Sequence, residues 1–61
     1  KKSLYFSKNL EDNHVINFED IVPLRPVENG ISPEKFRYFI GKKIKRKVKK
    51  FTLVKNKYFY E

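Results

Sequence analysis

Apolar residues in this chain come in short clusters separated by polar stretches, and none has the length or period of a long helix. From Ser3 to Lys8, Leu4 and Phe6 alternate with Tyr5 and Ser7, a period of two that predicts a short strand. Asn9 to Asn13 is polar apart from Leu10 and reads as a turn. Asn13 within it suits a left-handed conformation, which Asn tolerates better than most residues. Asn17 precedes Phe18-Glu19-Asp20-Ile21 and predicts a capped single helical turn, with two acids where the helix dipole favours them. Val22 to Pro26 is expected to be extended, because Pro23 and Pro26 each push the preceding residue out of the helical region. Glu28-Asn29-Gly30 reads as a turn. Ser32-Pro33-Glu34 then combines an N-cap, a proline at the first helical position and an acid, so a short helix is predicted over Pro33–Phe39, ended by Gly41. Phe36, Phe39 and Ile40 lie at helical spacing and are expected to face the core.

From Lys42 to Lys50 the only apolar residues are Ile44 and Val48, set among seven cations. A separation of four fits one face of a strand or of a helix. The β-branched residues and the preceding Gly41 favour a strand, burying Ile44 and Val48 and exposing its lysines. Short apolar runs follow at Phe51–Val54 and Tyr58–Tyr60. One longer-range pattern joins these pieces. The spacing Phe6-x3-Leu10-x4-Val15-x5-Ile21 is repeated by Ile44-x3-Val48-x4-Leu53-x5-Phe59. Identities between the copies are few, so chance is the alternative. Taken physically, the repeat implies two similar halves around one core, with too few copies for a solenoid.

Length bounds how much core these clusters can make. The chain has 61 residues, the size of one small domain, and such a domain buries only about 60% of its unfolded surface. There is no Cys, which excludes a disulfide framework and thiolate metal sites. No apolar run reaches the ~18–20 residues of a membrane-spanning helix, and no signal-peptide pattern is present. The first residue is Lys1 rather than Met, so the chain is expected to be a segment of a longer protein.

Fifteen Lys and Arg against seven Asp and Glu give a formal charge of +8, which points towards an anionic partner. Twelve of the fifteen cations are Lys and three are Arg. Forked recognition of phosphates and bases favours Arg, so this balance weakens the nucleic-acid reading. In Lys42–Tyr60 the aromatics Phe51, Tyr58, Phe59 and Tyr60 lie among lysines, where rings would stack bases and ammoniums meet phosphates. The competing reading is that four Tyr and six Phe are mostly needed to build so small a core, and it is favoured.

No catalytic constellation emerges. His14 is the sole His and, in a polar turn, reads as a surface residue without a partner for general-base work. The neighbours Glu11-Asp12 and Glu19-Asp20 read as solvated or capping groups and offer too few oxygens for a hard cation. Gly30 and Gly41 are too far apart for a phosphate loop. The most distinctive stretch is Leu24-Arg25-Pro26-Val27-Glu28-Asn29-Gly30-Ile31-Ser32-Pro33. It sets Arg25 just ahead of a Pro-restricted turn, where five donors in a fixed fork suit a carboxylate, phosphate or amide oxygen. From this segment alone, a surface Arg in a loop is the favoured reading.

Lys2-Ser3-Leu4-Tyr5, Phe18-Glu19-Asp20-Ile21, Leu24-Arg25-Pro26, Gly30-Ile31-Ser32-Pro33 and Ile40-Gly41-Lys42-Lys43, in that order, resemble the C-terminal domain of sialic acid synthases. That domain is called SAF, or antifreeze-like, because it is similar to type III fish antifreeze protein. The resemblance spans nearly the whole chain. It implies an all-β fold: a β-clip of short strands and single helical turns with internal pseudo-two-fold symmetry, forming one domain over residues 1–61 at the C-terminus of a longer synthase. In the family the domain follows a (β/α)8 barrel that condenses phosphoenolpyruvate with N-acetylmannosamine or a similar amino sugar, using a divalent metal, Mn or Mg. The resemblance further implies a cytoplasmic, domain-swapped homodimer in which this domain covers the partner's barrel site. It has no catalytic residue of its own. The family's Arg in the RP pair, which reaches the acyl group of the sugar, corresponds to Arg25.

The chain departs from the family pattern in one longer loop, between Pro26 and Ile31, and in two turns where Gly is frequent. Asn13 can replace Gly at a left-handed position. Phe51 does not do so readily, so the turn around it is expected to have another shape. Ice binding is not expected, because the surface corresponding to the flat, weakly polar antifreeze face is the charged Lys42–Lys50. Two other readings stand beside the synthase domain. One is a small basic nucleic-acid-binding module, marked by steeply salt-dependent binding. The other is a SAF domain of a pilus or flagellar assembly protein, distinguished by the sequence upstream of Lys1.

Overall fold

The computed structural model describes residues 2–25 and 30–60. Strand β1, Ser3–Phe6, pairs antiparallel with β2, Ile21–Leu24, in the register Ser3↔Leu24 to Phe6↔Ile21. Pro23 sits opposite Leu4 in this short ladder. The Asn17 side chain accepts from the Glu19 N–H at 3.1 Å while Asp20 accepts from the Asn17 N–H at 2.9 Å. This reciprocal box starts a single 3-10 turn, Phe18–Asp20, that feeds β2. Ser32 caps a second 3-10 turn, Pro33–Lys35, which runs into one turn of α-helix, α1, Phe36–Phe39. Gly41, at φ 88°, ends it in the left-handed region. A third 3-10 turn covers Asn56–Tyr58.

Lys42–Lys50 is not a strand. It makes isolated antiparallel bridges, Lys43 with Val15, Ile44 with Phe59 and Val48 with Leu10, and it bends at Lys45 and Arg46. The segment therefore passes from one pairing partner to the next. Ile44 and Val48 are buried as the spacing required, and the lysines beyond Lys42 are exposed. The fold is thus small and mostly β, with one two-stranded sheet among the described residues, single-residue bridges and short helical turns.

One core joins these pieces: Leu4, Phe6, Leu10, Ile16, Ile21, Phe39, Ile44, Val48, Val54 and Phe59. Phe36 and Ile40 pack at its margin and Phe39 lies fully inside. Of the eight positions in the apolar repeat, six are in this core; Val15 is exposed and Leu53 half-buried.

The repeat reaches the backbone. Asn13 N–H donates to Ile44 O, and 38 residues on Phe51 N–H donates to Phe6 O, the residue 38 before Ile44. Ile44 N–H to His14 O matches Phe6 N–H to Thr52 O. Ser7 N–H to Asp20 O matches Lys45 N–H to Tyr58 O. Leu10 and Val48 exchange both of their bonds. The 3-10 turns Phe18–Asp20 and Asn56–Tyr58 follow the same shift, as do two non-glycine residues at positive φ, Asn13 at 66° and Phe51 at 68°. Phe51 thus takes the conformation that its side chain disfavours, because its N–H and that of Thr52 complete the scheme that Asn13 and His14 complete in the other half.

No helix among the described residues is long and apolar enough to cross a membrane.

Candidate functional site

Arg25 follows the last residue of β2, at a bend, and is exposed. Pro26, Val27, Glu28 and Asn29, including most of the turn expected at Glu28-Asn29-Gly30, lie outside the described residues. The chain is described again from Gly30, and both ends of this stretch meet one residue. Leu24 pairs with Ser3, and Gly30 N–H donates to Ser3 Oγ at 3.1 Å. Leu4 N–H donates to Ile31 O at 3.0 Å. Ser3 is completely buried.

The contact at Gly30 is closer than any side chain allows. A Cβ there would lie 2.7 Å from Ser3 Cβ, 2.8 Å from Leu53 Cδ1 and 2.9 Å from Ser3 Oγ. Gly30 is required because the side chains of Ser3 and Leu53 fill the space a Cβ would take, not for an unusual φ. Leu24, just before Arg25, is therefore held in the ladder, while Arg25 itself is exposed. This arrangement can donate hydrogen bonds to an anion or amide oxygen brought to it; it supplies no base and no nucleophile.

His14 departs from the expectation of a solvated surface residue. Its ring is half-buried and Nε2 lies 2.7 Å from Asp20 Oδ2. An ionised carboxylate only accepts, so Nε2 donates. Asp20 is buried, and Lys8 Nζ stands 3.7 Å from its Oδ1. Burial alone would push the Asp20 carboxyl up, but the Asn17 N–H, the His14 hydrogen bond and the charges of His14 and Lys8 together hold it below its ordinary value. Sequence proximity did not show this pair, because the turn at Asp12–Asn13 and the capping box are both needed to bring them together. Its neighbour Glu19 is exposed, 3.6 Å from Lys8 Nζ, and the backbone carbonyl of Glu19 accepts from Ser7 Oγ. Asp20 is thus a capping and anchoring group, as the adjacency of the two acids suggested. Among the described residues no group of three or more His, Cys, Asp or Glu is placed to hold a metal.

The aromatics divide. Tyr5, Phe6, Phe39 and Phe59 are buried, Phe36 and Tyr58 half-buried, and Phe18, Tyr38, Phe51 and Tyr60 exposed. Phe6, Phe39 and Phe59 form a chain of rings, with centroids 6.2 Å apart from Phe6 to Phe59 and 4.8 Å from Phe39 to Phe59. Tyr38 and Tyr60 instead border an open cleft of about 540 Å³ that Lys42, Lys45 and Lys57 also line. Phe39 and Phe59 line its inner side.

Compared with known proteins, the chain matches no family model and no curated protein sequence.

Proposed function

We propose that the chain is the SAF, antifreeze-like domain of a sialic acid synthase or of a relative making another nonulosonic acid, with a β-clip fold whose two halves are related by a pseudo-two-fold axis. The backbone bonds that recur with the shift from Phe6 to Ile44 support the fold reading. In a cytoplasmic, domain-swapped homodimer the domain closes the barrel site of the partner protomer. The barrel condenses phosphoenolpyruvate with N-acetylmannosamine or a similar amino sugar. The divalent Mn or Mg belongs to the barrel, and no residue of this chain is assigned to it.

Arg25 donates to the acyl oxygen of the sugar in this reading. The observation that supports its role is that Leu24, beside Arg25, and Gly30 both meet buried Ser3. With Leu24 held in the ladder beside it, an exposed guanidinium can meet a neutral amide oxygen without a proton transfer, and less ordering is left to the contact. In the full-length synthase, Arg25→Ala is expected to raise KM for the amino sugar about tenfold or more, the size of a lost charge-assisted hydrogen bond, and to leave KM for phosphoenolpyruvate unchanged. Unchanged constants for both substrates would remove the assigned role.

A further inference from the structure

We propose that the cleft between the end of α1 and the Asn56–Tyr58 turn binds a nucleotide unit, with the base on the ring of Tyr60 and the phosphate among Lys42, Lys45 and Lys57. The proposal is independent of the substrate-capping role, because Arg25 does not line this cleft. A volume of about 540 Å³ falls within the ~300–1,000 Å³ of small-ligand sites.

Its walls are set by the backbone. Lys42 N–H donates to Phe39 O at 3.1 Å, Lys45 N–H to Tyr58 O at 2.8 Å and Tyr60 N–H to Lys43 O at 3.1 Å. The three lysines and Tyr60 thus spring from segments tied to one another. Phe39 and Phe59, buried and in ring contact, give an apolar inner side. Lys42 Nζ lies 4.5 Å from the Tyr38 ring centroid, which keeps that ammonium at the cleft. Tyr60 is about half exposed, and its hydroxyl donates to Asn13 Oδ1 at 3.2 Å, fixing the ring's direction. The ring also borders a second hollow beside Lys43, so it stands between two open spaces as a stacking surface.

The charges point to an anion. Among the described residues no acid lines the cleft, and every ion pair involves Lys8 or His14. Three lysines line this one concavity, with the Lys57 ammonium 5.6 Å from the Tyr58 ring centroid, and like charges gathered there favour an entering anion. The chain supplies its own comparison. With the shift that maps Phe6 onto Ile44, Lys42, Lys45 and Lys57 correspond to Leu4, Ser7 and Glu19, and Tyr60 corresponds to Val22. The same backbone scheme therefore forms with no cation at any of these positions, one of them an acid. Folding does not require the lysines, and a merely solvated face does not require them around one concavity with a tyrosine ring. Phosphate satisfies the ammoniums, and a planar base accounts for the ring.

A nucleotide unit reaches such a cleft either free or as part of a single strand, and the test separates the two. The 61-residue chain is titrated with ATP, with a ten-residue oligothymidylate and with inorganic tripolyphosphate, by calorimetry and by amide-resolved NMR at several salt concentrations. ATP or the oligonucleotide is expected to bind at least about fivefold more tightly than tripolyphosphate, with shifts at Tyr38, Lys42, Lys45, Lys57 and Tyr60. Tighter ATP marks the free nucleotide, and tighter oligonucleotide the strand. Tyr60→Leu is expected to weaken binding at least about fivefold and Tyr60→Phe to retain it, the range of base–aromatic stacking. Lys45→Gln and Lys57→Gln each lower the salt slope by about 1; Lys55→Gln, the same loss of charge outside the cleft, changes affinity less than either. NMR dispersion shows whether each variant is folded. Equal affinity for tripolyphosphate, unchanged binding by folded Tyr60→Leu, or shifts confined to Lys47–Lys50 would each overturn the proposal.

Discussion

Gly30→Ala tests the close contact between Gly30 and Ser3. The added Cβ would meet Ser3 Cβ at 2.7 Å and Ser3 Oγ at 2.9 Å, against ~3.5–4.0 Å for an ordinary carbon contact. Ser3 is fully buried and paired with Leu24, so it has no room to recede. The third contact, Leu53 Cδ1 at 2.8 Å, is the end of a flexible side chain and can rotate away. Overpacking of this kind costs about 1–3 kcal/mol. The smaller entropy of the unfolded Ala chain offsets about 0.4–1 kcal/mol. Those two ranges leave a net loss of about 0–2.6 kcal/mol, centred at ~1.3 kcal/mol. In urea, with a slope near ~1 kcal/mol/M for so small a chain, the midpoint is expected to fall by about 1 M or more. A double-mutant cycle isolates the cause. Ser3→Gly removes both atoms of the clash, so the pair Ser3→Gly with Gly30→Ala should be more stable than the sum of the single effects by about 1 kcal/mol. An unchanged midpoint for Gly30→Ala, or strict additivity of the two, would refute the close-approach argument.

Phe51→Gly relieves a side chain held at φ 68°. It is expected to stabilise the chain by about 1 kcal/mol, seen as a rise of about 4–8 °C in Tm; Asn13→Gly should gain less, since Asn tolerates the left-handed region, and a fall for Phe51→Gly would refute the strain. Tyr5 is buried and its hydroxyl has no hydrogen-bond partner among the described residues. Tyr5→Phe is therefore expected to leave urea stability unchanged or raise it by about 1 kcal/mol, and a loss of that size would reveal a partner for the hydroxyl. Asp20 has a lowered pKa in the folded chain, so the unfolded chain binds the proton more readily. Its contribution is full above the ordinary value of 3.8 and is lost as pH falls through the lowered folded value. Asp20→Asn should cost about 1–3 kcal/mol at pH 7 and flatten the acid limb of the stability profile. An acid limb as steep as in the parent chain would place that dependence elsewhere.

What could be read from the sequence was local or periodic. Asn17 and Ser32-Pro33 announce their turns because a cap is settled within three residues. The apolar spacing announced the repeat because six of its eight positions fill one core. Phe51 was misread, since its positive φ is imposed from outside by the carbonyl of Phe6, far away in sequence. The strand expected over Lys42–Lys50 failed for a related reason. Ile44 and Val48 have different partners, Phe59 and Leu10, so burying both does not require one continuous ladder. Arg25 was singled out in the sequence by its resemblance to an RP pair. The contact of Ser3 with Gly30 was not legible, because it joins residues on opposite sides of β2 in the chain.

The recurring backbone scheme also bears on how sites in this fold are to be found. Positions that both halves need for the core hold apolar residues in both, as Phe6 and Ile44 or Leu10 and Val48 do. Such matched pairs carry packing and say little about ligands. The informative positions are those where the halves share geometry and differ in chemistry. In the first half His14 and Asp20 stand where the second has Thr52 and Tyr58, and there the extra charge is consumed internally, by a cap and by Lys8. In the second half Lys42, Lys45 and Lys57 replace Leu4, Ser7 and Glu19, and no described acid answers them in the cleft they line. Among the described residues, only the second contrast leaves its cations without an acid. Within the +8 of the chain, it separates cations with a concave surface to act on from those that merely face solvent, a distinction that neither the net charge nor the density of the Lys42–Lys50 run supplies.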